Sequence, residues 1–187
     1  MKKKLSEMSK EELWQLFPIF LREYRPVWKD WYAQEEAFLK QILPEAKRIS
    51  HIGSTAVGSI WAKPIIDILV EVQTDSNMEE YKAQIVSNGY ICMWKGMDQM
   101  SFNKGYTEDG FAEKVFHLHL RYAGDNDELY FRDYLIDHRD VAHAYQEMKL
   151  KLWKEYEHNR DGYTNAKTGF IKIHTEKAKT EYGNRYK

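Results

Sequence analysis

Eight consecutive residues, Ile65-Ile66-Asp67-Ile68-Leu69-Val70-Glu71-Val72, do most to limit what this chain can fold into. Six are apolar and five of those are β-branched, the composition of a strand packed on a pleated surface. Asp67 interrupts the run near its start. A carboxylate held among such neighbours is expensive to leave unpaired, so it must find a cation, a metal ion or backbone donors. The run therefore predicts a sheet and marks a candidate site within it.

The flanking segments supply the layers that cover a sheet. Ser9-Lys10-Glu11-Glu12 forms a capping-box pattern ahead of Leu13, Leu16, Phe17, Phe20 and Leu21. Their spacing of three and four predicts a helix, interrupted or begun afresh near Pro18. A second helix is expected from Trp28 to Ile42, ended by Pro44. Arg48 to Ile52 reads as a strand and Gly53-Ser54-Thr55 as a loop. Ser76-Asn77-Met78-Glu79 repeats the capping box before a helix from Met78 to Ser87, and Gly89 suits its C-terminal cap. Strands are expected near Tyr90 to Trp94 and Met100 to Asn103. A loop containing Gly105 and Gly110 separates these from a strand running from Lys114 to about Tyr122. Leu129 to Leu135, Val141 to Tyr156 and Thr164 to about Tyr182 are helical in pattern. The expected fold class is α+β, a mixed β-sheet flanked by helices. It is read as a single domain over 1–187, with a helical segment 1–45, a central sheet 46–122 and a helical segment 123–187.

Charge and composition narrow the function classes. With 28 basic and 29 acidic residues the formal net charge is -1, and hydrophobic residues make up 43% of 187. That balance argues for a globular protein and gives no general attraction to nucleic acid or an anionic membrane. Met1-Lys2-Lys3-Lys4 is not followed by an apolar stretch of signal-peptide length, and no run approaches membrane-spanning length, so a cytoplasmic location is expected. The single cysteine, Cys92, sits in the apolar run Tyr90-Ile91-Cys92-Met93-Trp94 and reads as packing material.

Gly53-Ser54 precedes Asp67 with twelve residues between them. This arrangement resembles the signature of the nucleotidyltransferase superfamily: a Gly-Ser or Gly-Gly bend, a spacer, then a strand bearing Asp-x-Asp or Asp-x-Glu. In such a site a small turn brings backbone N–H groups to a triphosphate and carboxylates hold a divalent metal against it. The longer run His51-Ile52-Gly53-Ser54-Thr55-Ala56-Val57, with Ala62-Lys63-Pro64-Ile65-Ile66-Asp67-Ile68-Leu69-Val70, resembles the GrpB family, which has this fold. Leu16-Phe17-Pro18-Ile19, Trp28, Phe116-His117-Leu118-His119-Leu120, Phe131-Arg132-Asp133-Tyr134-Leu135 and Tyr163-Thr164-Asn165-Ala166-Lys167 agree with family segments in the family order. Gly58-Ser59 departs from the Pro-Gly usual there. The resemblance implies a nucleotidyltransferase fold and a nucleotide or other phosphorylated small molecule as ligand. Gly53, Ser54, Thr55 and Lys63 are the expected phosphate-binding residues. Similar domains fused to dephospho-CoA kinase imply a non-catalytic alternative, a binding, regulatory or folding partner of another protein.

Strand geometry sets what Asp67 can do. Residues two apart share a face at ~6.6 Å, so residue 69 should carry the partner carboxylate, but it is leucine. Glu71 lies ~13 Å along the same face, too far for ions about 3.5–4 Å apart. In Phe116-His117-Leu118-His119-Leu120, alternation puts both imidazoles on one face. By resemblance to the fold, where a third acid comes from the neighbouring strand, His117 or His119 should face Asp67. Asp67, His117 and His119 are therefore the candidate catalytic residues. Asp67, Glu71 and His119 are the candidate metal ligands, for Mg2+, Mn2+ or Zn2+, with imidazole favouring Zn2+ or Mn2+. Ser54 and Thr55 read equally as turn and cap residues, His51 as structural, and Arg132-Asp133 as a surface or interdomain ion pair.

Overall fold

A computed structural model describes residues 3–186; Met1, Lys2 and Lys187 lie outside it. Five strands form one sheet, β1 (Arg48–Ile52), β2 (Ile66–Val72), β3 (Ile91–Lys95), β4 (Gln99–Thr107) and β5 (Gly110–Tyr122), in the order β1-β2-β5-β4-β3. The β2–β5 pair is parallel and the other pairs are antiparallel. The helices are α1 (Lys10–Leu16), α2 (Val27–Ile42), α3 (Ser54–Val57), α4 (Met78–Ser87), α5 (Asp127–Asp137), α6 (Arg139–Tyr156) and α7 (Arg160–Tyr182). The mixed α+β architecture expected from the sequence is the one observed. No helix among the described residues is long and apolar enough to cross a membrane.

The period-2 alternation of β2 and β5 divides the sheet into two faces of different chemistry. On one, Ile66, Ile68, Val70, Val72, Phe116, Leu118 and Leu120 join Met100 and Phe102 against Trp28, Trp31 and Leu39 of α2 and Met78, Tyr81 and Ile85 of α4. Trp28 is fully buried there. The other face carries Asp67, Leu69 and Glu71 beside His117 and His119, since the parallel register pairs Asp67 with His117 and Leu69 with His119. Helices α5, α6 and α7 cover this face, and Leu69 packs against Ile52 and Leu129.

Several local expectations are corrected. The first helix stops at Leu16 and does not resume, because Pro18 lacks an N–H and disfavours helical geometry in the residue before it. Instead the chain runs extended to a bridge between Arg22 and Ala62. The cap of α4 is Asn77, whose side chain accepts from the Glu79 N–H, rather than Ser76. The loop expected around Gly105 and Gly110 is a hairpin. At Gly105, where the register of β4 shifts, φ is 90° and a Cβ would run into the Lys114 carbonyl. Finally, Ser54-Thr55 belongs to the single turn α3, not to a loop.

Candidate functional site

Strand β1 delivers the chain to Gly53 directly beside Asp67, because Ile52 is the register partner of Asp67 across the β1–β2 pair. Gly53 adopts φ 71° and ψ -174°, a region essentially confined to glycine. A Cβ at this position would collide with Asp67 Oδ2. The Gly-Ser bend and the strand aspartate are thus one packing unit, which gives their sequence spacing a physical cause.

Both histidines lie on one face of β5, as its alternation predicted, and both stand beside Asp67, which the resemblance implied for one or the other. His117 Nδ1 is 3.3 Å and His119 Nε2 3.9 Å from Asp67 Oδ1. Behind His117 stand two residues that the sequence did not single out. Arg160 Nη2 donates to Tyr106 Oη over 2.7 Å, and Tyr106 Oη lies 2.8 Å from His117 Nε2. Arginine can only donate, and Arg160 Nη2 also lies 3.3 Å from His117 Nε2, so Nε2 is an acceptor and the Nδ1–H of His117 is directed at Asp67. Burial pushes the His117 imidazole down to about 4 against the pull of Asp67, with Arg160 and Lys63 adding to the fall, so it is neutral at pH 7. Burial alone would raise the Asp67 carboxyl. Hydrogen bonding with His117 and His119 outweighs it and holds the group far below the usual carboxylate range.

A cavity of about 610 Å³ opens above Asp67, His117 and His119, walled by α3, α6 and α7. Four lysines line it, Lys63, Lys149, Lys167 and the exposed Lys172. Lys149 is buried and donates to Ser54 Oγ over 2.9 Å and to the Trp61 carbonyl. Lys63 and Lys167 lie over the same Tyr163 ring, at 5.3 and 4.3 Å from its centroid. None of the three makes an ion pair among the described residues. Burial pushes Lys63 down to about 7, helped by Arg160 and Lys167. It pushes Lys167 down to about 8. Lys149 falls well below the ordinary lysine range through burial and the charges of Lys167 and Lys63. Only Asp67 raises them, so these ammonium groups share one positive pocket and depress one another's charge.

Not every expected residue is in place for ligand. Gly53, Ser54, Thr55, Lys63, Asp67, His117 and His119 line the cavity. Thr55 is nearly sealed, and its hydroxyl donates to the Ile65 carbonyl while His51 Nε2 lies 2.9 Å away. With His51 stacked on Tyr32 at 4.6 Å, the pair is a latch beneath the bend. Glu71 is fully buried and faces Arg48 rather than the cavity, accepting also from Asn126 Nδ2 at 3.0 Å. Its proposed part in a metal site is therefore corrected: the strand carries it one register step too far, into an internal ion pair. Among the described residues no group of three or more His, Cys, Asp or Glu is arranged to hold a metal ion. The donor set does not fit the two-ion site of this fold either, since Leu69 replaces the second carboxylate. Arg132-Asp133 is likewise no surface pair; Arg132 also donates to the His51 carbonyl at 2.9 Å and to Tyr186 Oη at 3.0 Å.

Lys149, Arg160 and Tyr106 were invisible as site residues because each reaches the surroundings of Asp67 from a distant element. Tyr163 and Lys167 alone carried a local signal, four apart on one helix and so on one face.

The comparisons with known proteins bear on the family and the fold. The family profile described as "GrpB protein" matches residues 18–177. The chain is 32% identical over 160 residues to the UPF0157 protein YqkA of Bacillus subtilis, covering 83% of this chain and 46% of that one. It is 33% identical over 150 residues to the glutamate-rich protein GrpB of Alkalihalophilus pseudofirmus, covering 77% and 86%. The chain thus spans about half the length of the first of these relatives and most of the second. The crystal structure of the conserved protein GrpB from Enterococcus faecalis superposes with a TM-score of 0.75 at 28% identity, over 87% of this chain and 99% of that one. A structure of Cid1 in complex with the UTP analog UMPNPP aligns with a TM-score of 0.51 at 11% identity, over 77% and 48%, which shows a shared fold. The chain has a nucleotidyltransferase-like fold and belongs to the GrpB family.

Proposed function

We propose that the protein binds a nucleotide or a related phosphorylated small molecule in the cavity above Asp67. The observation that carries this reading is the set of three lysines, Lys63, Lys149 and Lys167, that line one cavity without a carboxylate partner among the described residues. Buried charge is costly unless it meets a counter-charge, and a phosphate group supplies one that reaches several ammonium groups at once. A volume of about 610 Å³ falls within the range of small-molecule sites. The apolar part of a ligand has Phe131, Tyr145, Tyr163 and Ile171 to pack on. Gly53 and Ser54 form the bend at the cavity wall, where a Cβ on Gly53 would displace the Asp67 carboxylate. The fold shared with a UTP-analog complex supports a nucleotide within this class.

Binding without turnover is the reading we favour, because the second carboxylate of the two-ion mechanism is absent at Leu69 and Glu71 does not replace it. A role as partner of another protein is compatible with it, as is a cytoplasmic location. The second reading, nucleotidyl transfer, draws on His119, whose side chain is 28% exposed and faces the cavity. In that case His119 would move the proton of the attacking group and Asp67, through His117, would fix the imidazole array.

Thermal-shift and calorimetric screening of nucleoside mono-, di- and triphosphates and sugar phosphates tests the proposal. Saturable binding that weakens at least tenfold in Lys167→Met is the expected result. An absence of binding across the panel, or binding indifferent to that substitution, overturns it. Release of pyrophosphate or of nucleoside monophosphate that His119→Ala abolishes would select the second reading.

A further inference from the structure

Resting on the phosphate-binding reading, we infer that the ligand is a polyphosphate held as its metal-free anion, with Lys63, Lys149 and Lys167 standing where divalent ions stand in a two-metal site. The carboxylates decide this. Asp67 turns Oδ1 to His117 and His119, at 3.3 and 3.9 Å, and has the Gly53 backbone against Oδ2. Leu69 is fully buried, and Glu71 is sequestered by Arg48 and Asn126. The acids at the cavity rim are engaged elsewhere: Asp127 with Lys179 at 2.7 Å, Glu128 with Arg121 at 3.2 Å, and Glu176 with Lys179 at 4.0 Å. A divalent cation entering beside Asp67 would meet lysines on the surrounding walls and, behind His117, the guanidinium of Arg160.

The same arrangement suits a chain of phosphates. Tyr163 is a shared pillar for Lys63 and Lys167, and Tyr145 lies 4.9 Å beneath Lys149. The three lysines are thus held against two aromatic rings in the cavity wall. Lys149 is only 2% exposed and its bonds to Ser54 and Trp61 are to neutral oxygens, so its charge is left uncompensated in the free protein. With Lys172, which lines the same cavity, these lysines outnumber the carboxylate among them, Asp67, and a diphosphate or triphosphate anion supplies the negative charge that the cavity lacks.

The test uses the full chain with pyrophosphate and ATP as probes, titrated by calorimetry in EDTA and again in excess MgCl2. Binding in EDTA at least as tight as in Mg2+ is expected, because the metal neutralises the charge that the lysines recognise. Asp67→Asn should then retain binding or tighten it severalfold, and Lys149→Met and Lys167→Met should each weaken it tenfold or more. Melting curves separate loss of binding from loss of fold, since exchanging an unpaired buried ammonium for methionine leaves stability equal or higher. Binding seen only with Mg2+, or abolished by Asp67→Asn, overturns the metal-free anion while leaving the phosphate site standing. No binding of any phosphate under either condition overturns both.

Discussion

Gly53→Ala should be among the most damaging single-methyl additions in the molecule. Its magnitude follows from two separate causes. The first is backbone strain: φ 71° with ψ -174° is a conformation that costs a non-glycine residue of order 1–3 kcal/mol. The second is steric, because the new Cβ lands on the Asp67 carboxylate, which the two histidines hold in place. Pushing that carboxylate aside weakens its hydrogen bonds, at about 1–3 kcal/mol for a charged group. A total near 3 kcal/mol is expected, which for a chain of this length lowers Tm by about 6–12 °C. Gly89 is the internal control. It has φ 90° at the end of α4, yet nothing lies within 4 Å of a Cβ built there, so Gly89→Ala should cost only ~1–2 kcal/mol. The assay is urea denaturation of both variants and of Gly53→Ala combined with Asp67→Ala. In the double variant the steric part is relieved, giving a favourable coupling of about 1 kcal/mol or more. Equal losses at Gly53 and Gly89, or strict additivity with Asp67→Ala, would refute the idea that bend and aspartate are built against each other.

Other consequences are measurable with the same material. Glu71→Ala should destabilise the fold by about 3–5 kcal/mol by removing the fully buried carboxylate shared by half-buried Arg48 and Asn126, whereas Glu71→Leu combined with Arg48→Met should recover most of it; a mild effect of the single change would speak against Glu71 as a structural anion. Arg132→Met is expected to cost about 1.5–3 kcal/mol, since it strips charged hydrogen bonds from His51, Asp133 and Tyr186. The exposed pair Lys82–Glu79 should yield less than ~0.5 kcal/mol on Lys82→Met, and similar values for the two would contradict the burial of Arg132. For pH, Lys63 falls to about 7 and Lys167 to about 8 from 10.5. Between those values and 10.5 the unfolded chain holds more protons than the folded one, so the ligand-free protein should gain stability as pH rises from about 7 towards 10. Replacing both lysines with methionine should flatten that rise, and a wild-type stability that falls over this interval would show that these groups are not buried cations.

Local pattern was sufficient wherever a residue's fate depends on its immediate neighbours. β-branched enrichment located β2, alternation in Phe116 to Leu120 placed both histidines on one face, and the capping box at Ser9 opened α1 where expected. The Gly53-Ser54 to Asp67 spacing located the bend of the site because glycine at a positive φ and a strand residue across one register pair are short-range constraints. The missing carboxylate at Leu69 was equally legible, since the period of a strand is fixed by its backbone.

Tertiary structure alone decided what surrounds Asp67. Lys149, Arg160 and Tyr106 reach the site from α6, α7 and β4, and a charge's effect is set by its distance through space rather than along the chain. Glu71 shows the converse: on the right strand and the right face, it is claimed by Arg48 of β1, a partner no spacing rule names. The sequence by itself determined a mixed sheet with a polar stripe bearing two acids and two imidazoles. Whether that stripe would meet metal-binding acids or unpaired lysines depended on how α6 and α7 fold back over it, because the sign of a pocket's field is a sum over everything packed against it.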